Sequence, residues 1–593
     1  MAILDRHLTI LDRCIRGGAP ARSASGPYHA NAVRESSKNL REGADSARAL
    51  RQGTGRGPGE IDWPGAGNLR IVGQHRMKPA DILQLHSSVN LENGDSVYWA
   101  VQTMRSHVSL VVFCKWLVLL MMFGSPLAAW SAAEKPARPN VLFIAVDDLN
   151  HWVGYLGRNS QTLTPNLDRL AKRGVWFTRS YCAAPVCNPS RAALMSGLRP
   201  GASGVYDNGE NFAPVIPTDI TLTTQFRKAG YYVCGAGKIY HASVYREGEW
   251  DDWMRNAGGK APREEDGSSQ AAVKAGKLPI TPLNCRDEDM PDYQFVSYAI
   301  DQLNRKHTKP FFIACGLTKP HLPWSVPRKY YDKFPIETIQ LPPYREDDLD
   351  DLPPVALQMA RGPANDHETI LNEGGTNTWK QAIRAYLAAI NFCDTMVGRL
   401  LDAYDKSPER DNTIICFWSD HGWHLGEKHH WRKFALWEET TRAPHIWVVP
   451  GVTKPDGRCD RTVDYMSIYP TLMDLCGLPT PAHVQGRSIR SLLANPRIPW
   501  IEPAVTTYRQ NNHTVRSETW RYTRYSDGGE ELYNEAKDPY EWTNLARQPD
   551  ENQAAKKELG KYLPKDNQPP ARAAGASDTG AESKKKNRKK NRD

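Results

Sequence analysis

Apolar residues fall along this chain in two rhythms. Short unbroken runs at 141–146, 231–234, 311–314, 413–418 and 445–449 have the length of strands, and runs apolar on every position suit strands covered on both faces. Between them lie stretches with helical spacing, clearest at 167–172, 292–305 and 379–404. In the last of these Ile383, Tyr386, Leu387, Ile390, Met396, Val397 and Leu400 largely keep a helical period. Strand alternating with helix predicts an α/β fold built on a mostly parallel sheet. A further helix is expected at 465–475, stopped by Gly477. Beyond about Pro499 the pattern shifts to short alternating segments, at 504–508, 513–516 and 520–525, which predict a small antiparallel sheet. Passages 256–285 and 342–373, rich in proline and charge, read as surface insertions framing a pocket. No internal repeat is visible.

The ends of the chain have a different character. Residues 1–103 show no sustained periodicity and read as a disordered leader or a mis-assigned start. From Met104 the layout is that of a secretory signal peptide at 104–133. Arg105 and His107 open it, an apolar stretch at 108–123 is broken only by Lys115, and small residues follow through Ala133. A signal-anchor helix is the rival reading, weakened by Lys115 and the short uninterrupted core. The expected product is exported, to a periplasm or beyond, with no stable membrane span. The formal net charge of +9 gathers in the leader and in the tail from Lys584 to Arg592. Such a run is usually a solvated tail, so no nucleic-acid partner is expected. Of eleven cysteines, Cys14 and Cys114 precede the mature chain; the others permit disulfides but match no metal-finger spacing.

Chemistry concentrates at the ends of the apolar runs. The run ending in Asp147-Asp148 and the one ending in Asp420-His421 place acids where open α/β sheets put their sites. Adjacent carboxylates closing a buried strand repel one another, and a cation is a natural reason to keep them; a solvated strand-to-loop turn is the plainer one. Cys187-Asn188-Pro189-Ser190-Arg191 opens an Ala-rich segment and reads as a loop feeding a helix N-terminus, a place that favours anions. A merely buried or disulfide-bonded cysteine is the alternative. Gly237-Lys238-Ile239-Tyr240-His241 follows another apolar run. Lys319-Pro320-His321-Leu322-Pro323 follows a third, its prolines fixing a non-helical loop. Lys433 stands within His430-Trp431-Arg432-Lys433-Phe434.

Cys187 to Arg191, continued by Ser196-Gly197-Leu198-Arg199-Pro200, resembles the signature of the type I, formylglycine-dependent sulfatases. The Lys-x-x-His spacing, Lys-Pro-His-Leu-Pro and Ser-Asp-His-Gly-Trp-His-Leu-Gly-Glu resemble the iduronate-2-sulfatase branch and its bacterial relatives, and the likeness spans roughly 139–545. It implies an alkaline-phosphatase-like sheet covered by helices on both faces, in a catalytic domain at 137–498. A C-terminal antiparallel subdomain at 499–563 and a basic tail at 564–593 would follow. It implies that Cys187 is oxidised to formylglycine by a maturing enzyme, and that the hydrated aldehyde is the nucleophile on a sulfated sugar. It also implies one Ca²⁺, rather than Mg²⁺, held by Asp147, Asp148, Asp420, His421 and residue 187. The implied roles are sulfate binding for Lys238 and Lys433, orientation for Arg191, proton acceptance for His241 and leaving-group protonation for His321. Trp324, Trp423 and Trp431 read equally as sugar platforms or as packing. A phosphate or phosphonate ester hydrolase of the same superfamily is the alternative activity, and a non-catalytic glycan-binding relative a third reading.

Overall fold

The alternating character of the first apolar run decides how the molecule is layered. In the computed structural model, which describes residues 138–254, 274–275, 277–362, 365–548 and 552–572, that run is strand β1 (Asn140–Asp147), buried along its whole length. Successive side chains of a strand point to opposite faces. Leu142, Ile144 and Val146 accordingly enter one core cluster, while Val141, Phe143 and Ala145 enter another. The first cluster is closed by helices α1 (Pro165–Ala171), α3 (Pro291–Asn304) and α4 (Asp366–Lys406). The second is closed by α2 (Cys187–Ser196) and α5 (Ile468–Leu475). The expected leader and signal peptide lie outside the described residues, and so does the expected basic tail except for 564–572, which is not free but hydrogen-bonds through Gln568 and Ala571 to Gly201 and Gly204.

Eight strands form the sheet: β1, β2 (Val175–Tyr181), β3 (Tyr232–Gly237), β4 (Asp252–Met254), β5 (Phe311–Pro320), β6 (Thr413–Ser419), β7 (His445–Val448) and β8 (Gly457–Asp464). Their order is β8-β2-β7-β6-β1-β5-β3-β4. Only β7 runs against its neighbours, β6 and β2; the other pairings are parallel. β1 sits between β5 and β6, with Val141 opposite Phe312 on one side and Ile414 on the other. The carboxyl ends of β1, β3, β5 and β6 therefore emerge together.

The apolar runs do not mark β2, β4 and β8. β4 and β8 are the edges of the sheet, where one side is open and polar residues such as Arg458, Asp460 and Arg461 fit. The helix expected at 379–404 begins earlier, at Asp366, and is broken at Gly374 and Gly375, where the backbone leaves helical geometry. The passage 342–373 is thus not a simple surface insertion. It contains a helix, Pro354–Arg361, whose Ala356, Met359 and Ala360 are buried against Leu436, Trp437 and Tyr533.

Beyond the sheet's last helices, β9 (Ala504–Thr507), β10 (His513–Arg516), β11 (Trp520–Arg524) and β12 (Glu530–Asn534) form the expected antiparallel meander. Arg521 of β11 is fully buried among Glu438, Glu535 and Glu541 and ties this sheet to the larger one. All nine described cysteines are free thiols, so the permitted disulfides are not made among them. No described helix is long and apolar enough to cross a membrane.

Candidate active site

Four strand ends and one helix start deliver the candidate residues other than Lys433 to one place, and a loop brings Lys433 to them. β1 ends in Asp147, and Asp148 turns the chain away with a φ of 61°. β6 leads directly into Asp420 and His421. β3 ends in Gly237, also left-handed, where a Cβ would collide with the Gly316 carbonyl of β5; only glycine lets the two strand ends close up beneath Lys238. β5 ends in Pro320, and His321 follows it. Cys187 is the first residue of α2, and Arg191 lies one turn on.

Arg191 is the knot of this arrangement. It is fully buried, and its guanidinium donates to Asp420 Oδ2 at 2.9 Å, Asp147 Oδ1 at 3.3 Å and the Val146 carbonyl at 3.1 Å. It also donates to the carbonyls of Lys238 and Ile239. One side chain thus fixes the ends of β1, β3 and β6 relative to one another, a task suited to a planar fork of donors. Ser190 Oγ adds a bond to the Asp420 carbonyl at 2.6 Å, and Asp420 Oδ1 accepts from the Asp148 amide at 3.0 Å.

Cys187 Sγ lies at the centre, with no exposed surface. Lys433 Nζ is 2.7 Å from it, His421 Nε2 3.5 Å and Lys238 Nζ 3.7 Å. Lys433 also donates to Asp148 Oδ1 at 2.9 Å, and Lys238 pairs with Asp147. His321, half-buried, brings Nε2 to 3.7 Å from Asp148 Oδ2. His241 is set beside this group with its Nδ1 buried and unpartnered.

The charges are mutually enforced. Burial works against the Asp147 carboxylate, but Lys238, His321, Arg191 and Lys433 outweigh it and hold the group well below the usual range. Asp148 is lowered against its burial by His321 and Lys433. Burial and the Asp147 charge push the Cys187 thiol up. Burial favours neutral His321, yet Asp148 and Asp147 prevail and raise its pKa. His241 goes the other way: burial and then Lys238 bring it down to about 4.

Donor atoms of Asp148, Cys187, Asp420 and His421 lie within 4.8 Å of one another, and so do those of Asp147, Asp148, Cys187 and His321. Asp148 Oδ2 is buried with no hydrogen-bond partner. Three convergent carboxylates, one of them carrying an orphaned oxygen, fit a hard divalent cation with oxygen ligands.

A family model described as Sulfatase matches residues 139–478, more than half of the chain and all of this geometry. The chain belongs to the sulfatase family. Hydrolysis of sulfate esters is accordingly the activity of this sulfatase, on an alkaline-phosphatase-like fold. It is 40% identical over 430 residues to a sulfatase of Formosa agariphila, covering 69% of this chain and 83% of that one. It is 30% identical over 387 residues to iduronate 2-sulfatase of Homo sapiens, covering 58% and 70% of the two chains. In fold it is similar to the phosphonate monoester hydrolase of Agrobacterium radiobacter, with a TM-score of 0.60 at 20% identity over 72% of this chain and 95% of that one. Residues 426–568 match a second model, the C-terminal region of N-sulphoglucosamine sulphohydrolase.

Two aspects of the sulfatase's site escape a reading of motifs. Trp324, Trp423 and Trp431 are buried, with Trp324 packed edge-on to Trp423, so none is a sugar platform. Supporting residues come from positions that look merely structural. Tyr386, apolar in the helical pattern, donates to the Asp148 carbonyl at 2.7 Å and accepts from the Asn150 amide at 3.0 Å. Asp292 at the start of α3 accepts the amides of Thr318 and Lys319, and Lys319 Nζ donates to the carbonyls of His321 and Pro323. No local signal marks the Tyr386 and Asp292 contacts, since each depends on a strand end meeting a helix.

Proposed function

We propose that this sulfatase removes sulfate from a sulfated carbohydrate with formylglycine at position 187 and one Ca²⁺. The observation that carries the reading is the placement of Cys187 at the first turn of α2, within 4 Å of Lys238, Lys433 and His421. Asp147, Asp148, Asp420 and His421 would hold the cation together with residue 187; an all-protein, oxygen-rich shell suits calcium better than the smaller magnesium. When bound, the cation polarises sulfate oxygens and lowers the pKa of the hydrated aldehyde that supplies the nucleophilic oxygen.

The chain's own groups divide the remaining work. Lys238 and Lys433 present two ammonium groups to the sulfuryl oxygens, where charge accumulates in the transition state. Arg191 keeps Asp147 and Asp420 in fixed relation. His241, held neutral, is suited to accept a proton from the nucleophile's second hydroxyl. His321, its pKa raised by Asp148 and Asp147, is suited to give one to the leaving oxygen. A sugar substrate accords with the named human relative. The same reading takes 104–133 as a signal peptide for export, 137–498 as the catalytic domain and 499–563 as its C-terminal subdomain.

Peptide mass spectrometry across 183–191, on chain produced with a maturing enzyme, tests it: the thiol should be replaced by an aldehyde. An active enzyme carrying only unmodified Cys187 would overturn the mechanism. The fold likeness to a phosphonate hydrolase makes one control decisive. Sulfate and phosphate esters of a single phenol should differ strongly in favour of sulfate.

A further inference from the structure

Lys433 is delivered by an unusual loop. Lys428 and His429 have φ of 51°, Arg432 74° and Phe434 83°, four non-glycine residues in the left-handed region within a few positions. Each such residue is held at a cost in free energy, and several in a row persist only when the surroundings fix them. The surroundings here are identifiable side chain by side chain. Lys428 donates to Asp348 Oδ1 at 2.8 Å, and His429 Nε2 lies 2.9 Å from the Arg345 carbonyl oxygen. Trp431 Nε1 donates to His367 Nδ1 at 3.2 Å. Arg432 makes a two-pronged pair with the Asp366 carboxylate, at 2.5 and 3.2 Å. His430 bridges directly to the lysine: its ring nitrogens stand 2.9 Å from the Ala360 carbonyl oxygen and 2.8 Å from that of Lys433.

Every residue from Lys428 to Arg432 therefore has a partner in one stretch of chain, the helix Pro354–Arg361 with the residues before it and the first turn of α4, and Lys428 donates to the Glu541 carbonyl as well. Among its described residues none hydrogen-bonds or ion-pairs with Cys187, Asp147, Asp148 or Asp420. We infer that Asp366 and His430 are positioning residues, which hold a strained loop so that Lys433 Nζ stands against the reacting group. The inference rests on the role proposed above for Lys433. Released from Arg432, the loop would relax toward ordinary backbone angles and withdraw the ammonium group.

A double-mutant cycle on the calcium-loaded, matured enzyme separates positioning from mere stability. With Lys433 present, Asp366→Asn should lower kcat on a sulfate ester roughly ten- to hundredfold with little change in KM, the loss that a misplaced group brings. In a Lys433→Ala background the same substitution should change kcat by less than about twofold, because the coupled partner is gone. The fall in melting temperature should be equal in both backgrounds. Arg432→Gln provides an independent second cycle if the first variant folds poorly. Equal losses of kcat in both backgrounds overturn the inference and leave the role of Lys433 standing. Unchanged turnover in Lys433→Ala alone overturns that role, and the inference with it.

Discussion

His321 shows how one residue's surroundings make a testable assignment. Two carboxylates raise the pKa of its ring against burial, and Lys319 holds the carbonyl of the residue itself. If it protonates the departing alcohol, His321→Ala should slow sugar sulfates by about 10²–10⁴-fold, the usual worth of a general acid. Aryl sulfates with very acidic phenols should be slowed far less, and equal losses on both would reassign it to sulfate binding. Arg191 invites a second test. Lysine keeps its charge but not its fork, and it cannot bind two carboxylates and three carbonyls at once. Arg191→Lys should lose activity and, with it, the divalent cation proposed for the site, read by elemental analysis beside kinetics. All ten candidate residues were legible as residues, because their motifs are local. What Tyr386, Asp292 and Lys319 do was not legible, because a tyrosine at a helical position or an acid at a helix start has an ordinary structural reason to be there.

At the scale of elements, the apolar strands announced themselves and the edges did not. A central strand must be apolar on both faces, whereas β8 needs only half its positions buried. The helix Pro354–Arg361 was hidden by the charge and proline around it, since its apolar face is short and its neighbours in the core come from far along the chain. The join between the two sheets makes a sharp energetic prediction. Arg521 has no exposed surface and faces three glutamates, Glu438, Glu535 and Glu541. Arg516 also pairs with Glu438 and Glu535, so removing the Arg521 charge strips its ion-pair partner from buried Glu541 in particular; Arg521→Met should destabilise the enzyme by about 3–5 kcal/mol, measurable by chemical denaturation. Glu438 adjoins Glu439, whose carbonyl accepts the Trp423 amide, so this loss should also loosen the chain just beyond His421.

For the whole molecule, buried histidines set the response to acid. Burial lowers His445 to about 3; burial, aided by His429 and His430, lowers His367 to about 4; burial, aided by Arg524, lowers His513 to about 4. Each is neutral in the folded chain but binds a proton near pH 6.5 once unfolded. Below pH 6.5 the unfolded state therefore takes up protons that the folded state refuses, so stability should fall as pH drops from about 6.5 toward 4. Melting temperatures across that window check this, and His445→Gln should flatten part of the slope. The burial of Cys187 has a different kind of consequence, one of timing. A thiol with no exposed surface is beyond the reach of another protein's catalytic groups once the chain has closed around it. Oxidation to formylglycine would then have to be finished on the newly made, still extended chain, with the maturing enzyme reading 187–191 as linear text rather than as a surface. On the proposed maturation, folding and modification would be competitors during synthesis. The yield of working enzyme would be set by which runs faster, and a chain that folded first would keep its thiol and stay silent.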